Sequence, residues 1–359
     1  MNKNQQLNKH LISLMQKHQV HASGYALIED GKIFATDTIS IDSEIEVSTH
    51  SLFQACSLSK PLTAYVILKL VEAGKLDLDK PINQQLKSWK IPGGEYADQI
   101  TVKHCLTMTS GLCYGESKTS FPGYLQSQSI PTLQNILDGI EPAANVGLPI
   151  RSSCQPGSVY SYSGAGFMVL QKLIEDATGT AFAKFLDEQV FPSMSMTQST
   201  FECPLGEVHR NLAVPGFDKF GEINNAGWYN IPYTASGGLW STPSDLALFI
   251  LQITKVYRWA NVNFPQSLFS MMLEPQENSI FGLLSVVVDG KGESLNFRKN
   301  GHNTGYHNEL LMFPNTGQGV VVMTNSANGI ALINEFIDFI ARQYKWPDYS
   351  TNFDELIVP

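Results

Sequence analysis

Strand-forming segments lie at the two ends of this 359-residue chain, and helix-forming segments lie between them. Residues 24–36 alternate around Asp30-Gly31, a two-residue signal for an antiparallel hairpin. Near the other end, residues 281–288, 309–313 and 320–324 are β-branched or apolar runs separated by Gly and Asn. Strands find partners only side by side, so the ends must meet. The expected fold class is α+β: one antiparallel sheet built from both chain ends and flanked by helices, plus a mostly helical lobe from the middle. The expected division is a discontinuous sheet lobe of residues 1–56 and 246–359 and a helical lobe of residues 57–245, acting as one unit with a cleft between them.

The middle segment opens with an unusual helix. Residues 57–73 are apolar almost all round, with Leu62, Tyr65, Val66, Leu68 and Val71, which describes a helix buried on most sides. Gly74 is a natural stop. A second helix runs after Gly166 through Phe167, Leu170 and Ile174 and ends near Gly179, and residues 331–344 form a closing helix.

A hydrophobic fraction of 43% with 16% charged residues fits a folded globule and excludes a mainly disordered chain. The net charge of −9, with no basic stripe among aromatics, argues against a nucleic-acid partner. No apolar stretch approaches the ~20 residues needed to span a bilayer. The polar, amphipathic N-terminal stretch has no apolar core of a secretory leader, so the expected compartment is cytoplasmic, or periplasmic if a leader was trimmed. The five cysteines are scattered and lack a C-x-x-C pair, which suggests buried thiols rather than disulfides or zinc. Cys56 stands out because it precedes Ser57.

Three elements carry chemistry. Ser57-Leu58-Ser59-Lys60 opens the buried helix, and residues three apart share a helix face, so hydroxyl and amine can meet. Pro61 falls where a missing N–H matters least, and the helix N-terminus favours a developing oxyanion. Burial disfavours an ammonium; lowering the Lys60 pKa from ~10.4 toward ~7 corresponds to about 4–5 kcal/mol. Such an amine is a competent base for a serine. Next, the turn Pro156-Gly157-Ser158-Val159-Tyr160-Ser161-Tyr162 delivers Tyr162 just ahead of the second helix, where nearby cations are expected to lower its pKa. Last, Lys299-Asn300-Gly301-His302 lies on or enters a strand, and offers a fixed cation beside a glycine that lets a substrate approach. Read singly, each has a plainer reading: a capping serine, a packed aromatic, a basic residue before a turn.

In their order S-x-x-K, Y-x-x, K-x-G, the three elements resemble the serine β-lactamases and D,D-peptidases, specifically the class C β-lactamase, D-aminopeptidase and esterase branch. The flanks are similar too, among them Leu52-Phe-Gln-Ala-Cys-Ser57, Thr109-Ser-Gly-Leu112 and Gly238-Leu-Trp-Ser-Thr-Pro-Ser-Asp245. The resemblance runs from about residue 20 to 345. It implies that Ser57 forms an acyl-enzyme, with Lys60 as general base or its helper and Tyr162 relaying protons to the leaving group. It implies an oxyanion hole from the backbone N–H groups of Ser57 and His302. Lys299, with Asn300 and Gly301, would bind a substrate carboxylate and hold down the pKa values of Tyr162 and Lys60. No metal or organic cofactor is implied.

Three positions depart from the pattern. Gly164 stands where β-lactamases place an asparagine two residues after the tyrosine. Lys299 stands where many esterase-like relatives carry histidine, and Met108 replaces a histidine common before Thr-Ser-Gly. No H-E-x-x-H or G-x-S-x-G occurs, which sets aside metallohydrolase and α/β-hydrolase chemistry. The expected function is hydrolysis of a small ester, amide or peptide that bears a carboxylate. A true β-lactamase and a catalytically idle cell-wall-peptide sensor are the alternatives.

Overall fold

The computed structural model describes residues 3–115, 118, 121, 123–263 and 267–349. Its centre is a six-stranded antiparallel sheet of β1 (Ala22–Glu29), β2 (Lys32–Ser40), β3 (Val287–Asp289), β4 (Asn296–Asn303), β5 (Tyr306–Phe313) and β6 (Gln318–Thr324), ordered β2-β1-β6-β5-β4-β3. The two chain ends do build one sheet: β1 pairs with β6 in register Ser23 to Thr324. The first hairpin turns at Asp30 and Gly31, both at positive φ (50° and 69°), the geometry that matches strand twist.

Helix α1 (Lys3–His18) and helix α5 (Gly329–Tyr344) cover one face of the sheet, and helix α4 (Pro243–Asn263) lies on the other. Strand alternation accounts for both contacts. Tyr25, Leu27, Leu311, Phe313 and Val322 pack with Leu7, Leu11, Phe336 and Ile337. Their neighbours Ala26, Ile28, Leu310, Met312 and Met323 join Leu246, Phe249 and Ile250 in the larger core. That core also takes in helix α2 (Ser59–Glu72), which is buried on nearly every side from Ser59 to Leu68. α2 ends as its glycine requires: Gly74 at φ 69° donates to the Val71 carbonyl and Lys75 to that of Leu70.

Three sequence expectations shift. Ser57 lies in a 3₁₀ turn, Cys56–Leu58, and the α-helix begins at Ser59. Helix α3 (Gly164–Thr178) starts two residues earlier than expected, because the Ser163 side chain accepts from the Ala165 N–H and caps it. Of residues 281–288 only the end is strand; Ser285 at φ 57° turns the chain, with the Gly282 N–H donating to the Val286 carbonyl.

Candidate active site

Four separate pieces of backbone meet at Ser57. Its half-buried Oγ accepts from Lys60 Nζ at 3.1 Å and from the Tyr162 hydroxyl at 2.8 Å. One turn of chain brings Lys60 there, since it is the second residue of α2. Tyr162 arrives from 105 residues away, held by the Ser161 N–H donating to the Met108 carbonyl and by Ser163 opening α3. Lys60 is 2% exposed and also donates to the Ser236 carbonyl at 2.6 Å. Ser236 belongs to a short helical turn, Thr234–Gly237, that α2 itself anchors: Thr63 donates to the Ala235 carbonyl and the Leu239 N–H donates to Ser59 Oγ.

The fourth piece is β4. Lys299 is 2% exposed, with its Nζ 4.7 Å from the Tyr162 ring centroid and 5.2 Å from that of Phe281. Gly301 brings the strand onto the Ser57 backbone: a Cβ there would sit 2.5 Å from the Ala55 carbonyl oxygen and 3.2 Å from the Ser57 nitrogen. Asn303 and Tyr306 face each other across a two-residue turn, and ladder bonding alternates from such a pair. The backbone groups of Asn300 and His302 therefore turn away from β5, toward an edge where β3 has already ended at its pairing with Arg298. By the same alternation the side chains of Asn300 and His302 lie on the face opposite Lys299, where His302 stacks on His307 at 4.3 Å. What these two residues bring to the cleft is main chain.

Burial sets the proton inventory. It holds the Lys60 amine well below its ordinary range, helped by the nearby Lys299. Burial lowers Lys299 to about 7, with Glu309 opposing. The Tyr162 phenol moves the other way: burial pushes it up, against the hydrogen bond to Ser57. The expectation that neighbouring cations lower the phenol is corrected on this point. The two amines lie over the Tyr162 ring, 5.0 and 4.7 Å from its centroid, and both are themselves shifted toward the neutral form.

Sequence reasoning did not single out Ser236, Phe281 or Asn308. Only Ser236 left a trace, as the residue two before the Gly238-Leu-Trp-Ser-Thr-Pro stretch; carbonyl groups and buried packing partners carry no motif. Among the described residues no three His, Cys, Asp or Glu side chains group so as to hold a metal ion, and no helix is long and apolar enough to cross a membrane.

A serine flanked by a buried amine and a phenol, beside a lysine-bearing strand, sits on a fold found among penicillin-recognising proteins. The family profile described as Beta-lactamase matches residues 7–341, and the chain belongs to that family. Penicillin-binding protein 4* of Bacillus subtilis (strain 168) is 30% identical over 208 residues, 55% of this chain and 42% of that protein. Protein flp of Staphylococcus aureus (strain N315) is 22% identical over 329 residues, 89% of this chain and 63% of that one. The chain thus spans 42% to 63% of the length of these curated relatives. Among solved structures, the D-amino acid amidase of Ochrobactrum anthropi SV3 complexed with D-phenylalanine superposes with a TM-score of 0.74 at 20% identity, covering 95% of this chain and 99% of that one. The fold is that of the β-lactamases and transpeptidases.

Proposed function

We propose that the protein is a serine hydrolase that cleaves ester or amide bonds through an acyl-enzyme on Ser57, in the cleft between the sheet lobe (1–56 and 246–359) and the helical lobe (57–245). The observation that carries this reading is the pair of hydrogen bonds converging on Ser57 Oγ, from Lys60 at 3.1 Å and Tyr162 at 2.8 Å. A neutral amine keeps a lone pair for the serine proton, and burial favours that form of Lys60. Tyr162 starts protonated, so Lys60 is the base and Tyr162 the acid. Ser57 Oγ bonds to the substrate carbonyl carbon while its proton passes to Lys60. The oxyanion sits between the N–H groups of Ser57 and His302; such donors supply the largest electrostatic contribution in acyl transfer, ~10²–10³ in kcat each. As the carbon–leaving-group bond breaks, Tyr162 protonates the leaving group and is re-protonated from Lys60. Water then cleaves the acyl-enzyme to the acid and free serine.

Lys299 supports a carboxylate-bearing substrate. It is a buried amine with aromatic faces around it and no hydrogen-bond acceptor among the described residues. The test is intact-mass measurement after exposure to a fluorophosphonate and to a penicillin, with the adduct mapped by peptide. An adduct on Ser57 is expected with the fluorophosphonate. Absence of any adduct with both reagents would replace this reading with that of an idle peptide sensor. Turnover of nitrocefin, a p-nitrophenyl ester and a D-alanyl amide then assigns the bond cleaved.

A further inference from the structure

We propose that Cys56 and Asn308 form a latch that fixes the spacing between the Ser57 N–H and strand β4, making both of them positioning residues for acyl transfer. The proposal rests on the serine hydrolase reading above. Cys56 lies in the left-handed region at φ 56°, which is unfavourable for a residue with a Cβ, so its surroundings must hold it there. Its side chain is fully buried. The Sγ–H donates to the Gln54 carbonyl at 3.1 Å, and Sγ accepts from Asn308 Nδ2 at 3.3 Å. The same Nδ2 donates to the Gln54 carbonyl at 2.8 Å, which fixes the amide's orientation.

Asn308 sits on β5 directly across from Gly301, the glycine that lies against Ala55, Cys56 and Ser57. Cys56, Asn308 and Gly301 thus close a ring of contacts around the seam where the nucleophile meets β4. Neither latch side chain is hydrogen-bonded to Ser57 Oγ, whose partners among the described residues are Lys60 and Tyr162. Asn308 is 1% exposed and its Oδ1 finds no partner among the described residues. A buried orphan carbonyl is costly, and leucine would avoid that cost, so the amide is explained by its two donated bonds. Burial also keeps the Cys56 thiol protonated, as a donor and not a rival nucleophile.

The experiment compares wild type with Asn308→Leu, Cys56→Ala and Cys56→Ser. Fluorophosphonate labelling is followed by mass spectrometry, p-nitrophenyl ester turnover by absorbance, and arylboronic acid inhibition as a mimic of the tetrahedral state. Failure of the wild type to label defeats the hydrolase reading itself. With a wild type that labels, Asn308→Leu and Cys56→Ala should each lose about tenfold or more in labelling rate and kcat with KM within about twofold, and boronate affinity should fall in step with kcat. Cys56→Ser, which keeps a donor and an acceptor, should stay within about threefold of wild type. Unchanged labelling in folded Asn308→Leu and Cys56→Ala overturns the latch. So does a loss confined to melting temperature with boronate affinity intact. If Asn308→Leu does not fold, the Cys56→Ala and Cys56→Ser pair decides alone.

Discussion

Lys60 and Lys299 flank one tyrosine: their Nζ atoms lie 5.0 and 4.7 Å from the Tyr162 ring centroid, and each residue is 2% exposed. Two amines cannot share so dry a space while both are charged. Burial therefore favours the neutral form of Lys60, helped by the neighbouring Lys299, and lowers Lys299 itself to about 7.

Replacing Lys60 with methionine keeps the buried stem and removes the proposed base. Labelling of Ser57 should fall by ~10²–10⁴, the range of general-base contributions. The melting temperature should hold or rise, because an apolar tip suits the site better than an amine. Labelling at the wild-type rate would remove Lys60 from the reaction.

Tyr162→Phe retains the ring under both amines and deletes the hydroxyl that donates to Ser57 at 2.8 Å. If Tyr162 protonates the leaving group, an amide needs it more than a p-nitrophenyl ester, whose leaving group departs as an anion. The amide rate should fall by ~10² and the ester rate by clearly less, a ratio read from steady-state kinetics on both substrates. Equal losses would assign the phenol a role before the leaving-group step.

Lys299 predicts different alkaline pH limbs for two substrates. Its charge is lost as pH rises through about 7, so kcat/KM for a carboxylate-bearing substrate should decline above that pH while that for a neutral ester does not. Lys299→His should hurt the carboxylated substrate more than the ester. Stability runs the other way with pH. The folded pKa lies below the unfolded one, so the unfolded chain binds more protons between them; stability rises with pH above about 7 and is lost as pH falls through it. In denaturant melts from pH 7 to 10, the wild type should gain on Lys299→Met as pH increases, and a constant difference would contradict the assignment.

Gly301→Ala would place a methyl 2.5 Å from the Ala55 carbonyl oxygen. Backbone on both sides must part, at about 1–3 kcal/mol of stability. Because the displaced atoms include the Ser57 nitrogen, kcat should fall by at least tenfold even where the variant remains folded, by oxyanion-hole magnitudes. Melting and ester turnover of the same preparation separate the two effects.

Much of this arrangement was legible in the residues because it rests on local rules. Asp30-Gly31 announces its turn, Gly74 and Gly179 end their helices, and the spacing of Ser57 and Lys60 places hydroxyl beside amine. The direction of the Tyr162 pKa was misread, since charge was counted and desolvation was not. Residues 281–286 were misread because a left-handed Ser285 and a close approach to the Met272 carbonyl override strand composition. Ser236 and Asn308 escaped notice for another reason: they act through a carbonyl and an amide whose meaning depends on partners 176 and 252 residues distant.

The place of β6 between β1 and β5 governs the order in which this molecule can be made. The β1–β2 hairpin leaves the ribosome early, yet its inner edge has to wait until residue 318 and beyond have been translated. Throughout that interval β1, with seven of its eight residues destined for the interior, is an open strand and a target for neighbouring nascent chains. Expression yield should therefore respond to translation speed and to chaperone supply more than the final stability would suggest, and circular permutants that join the two ends early should fold faster.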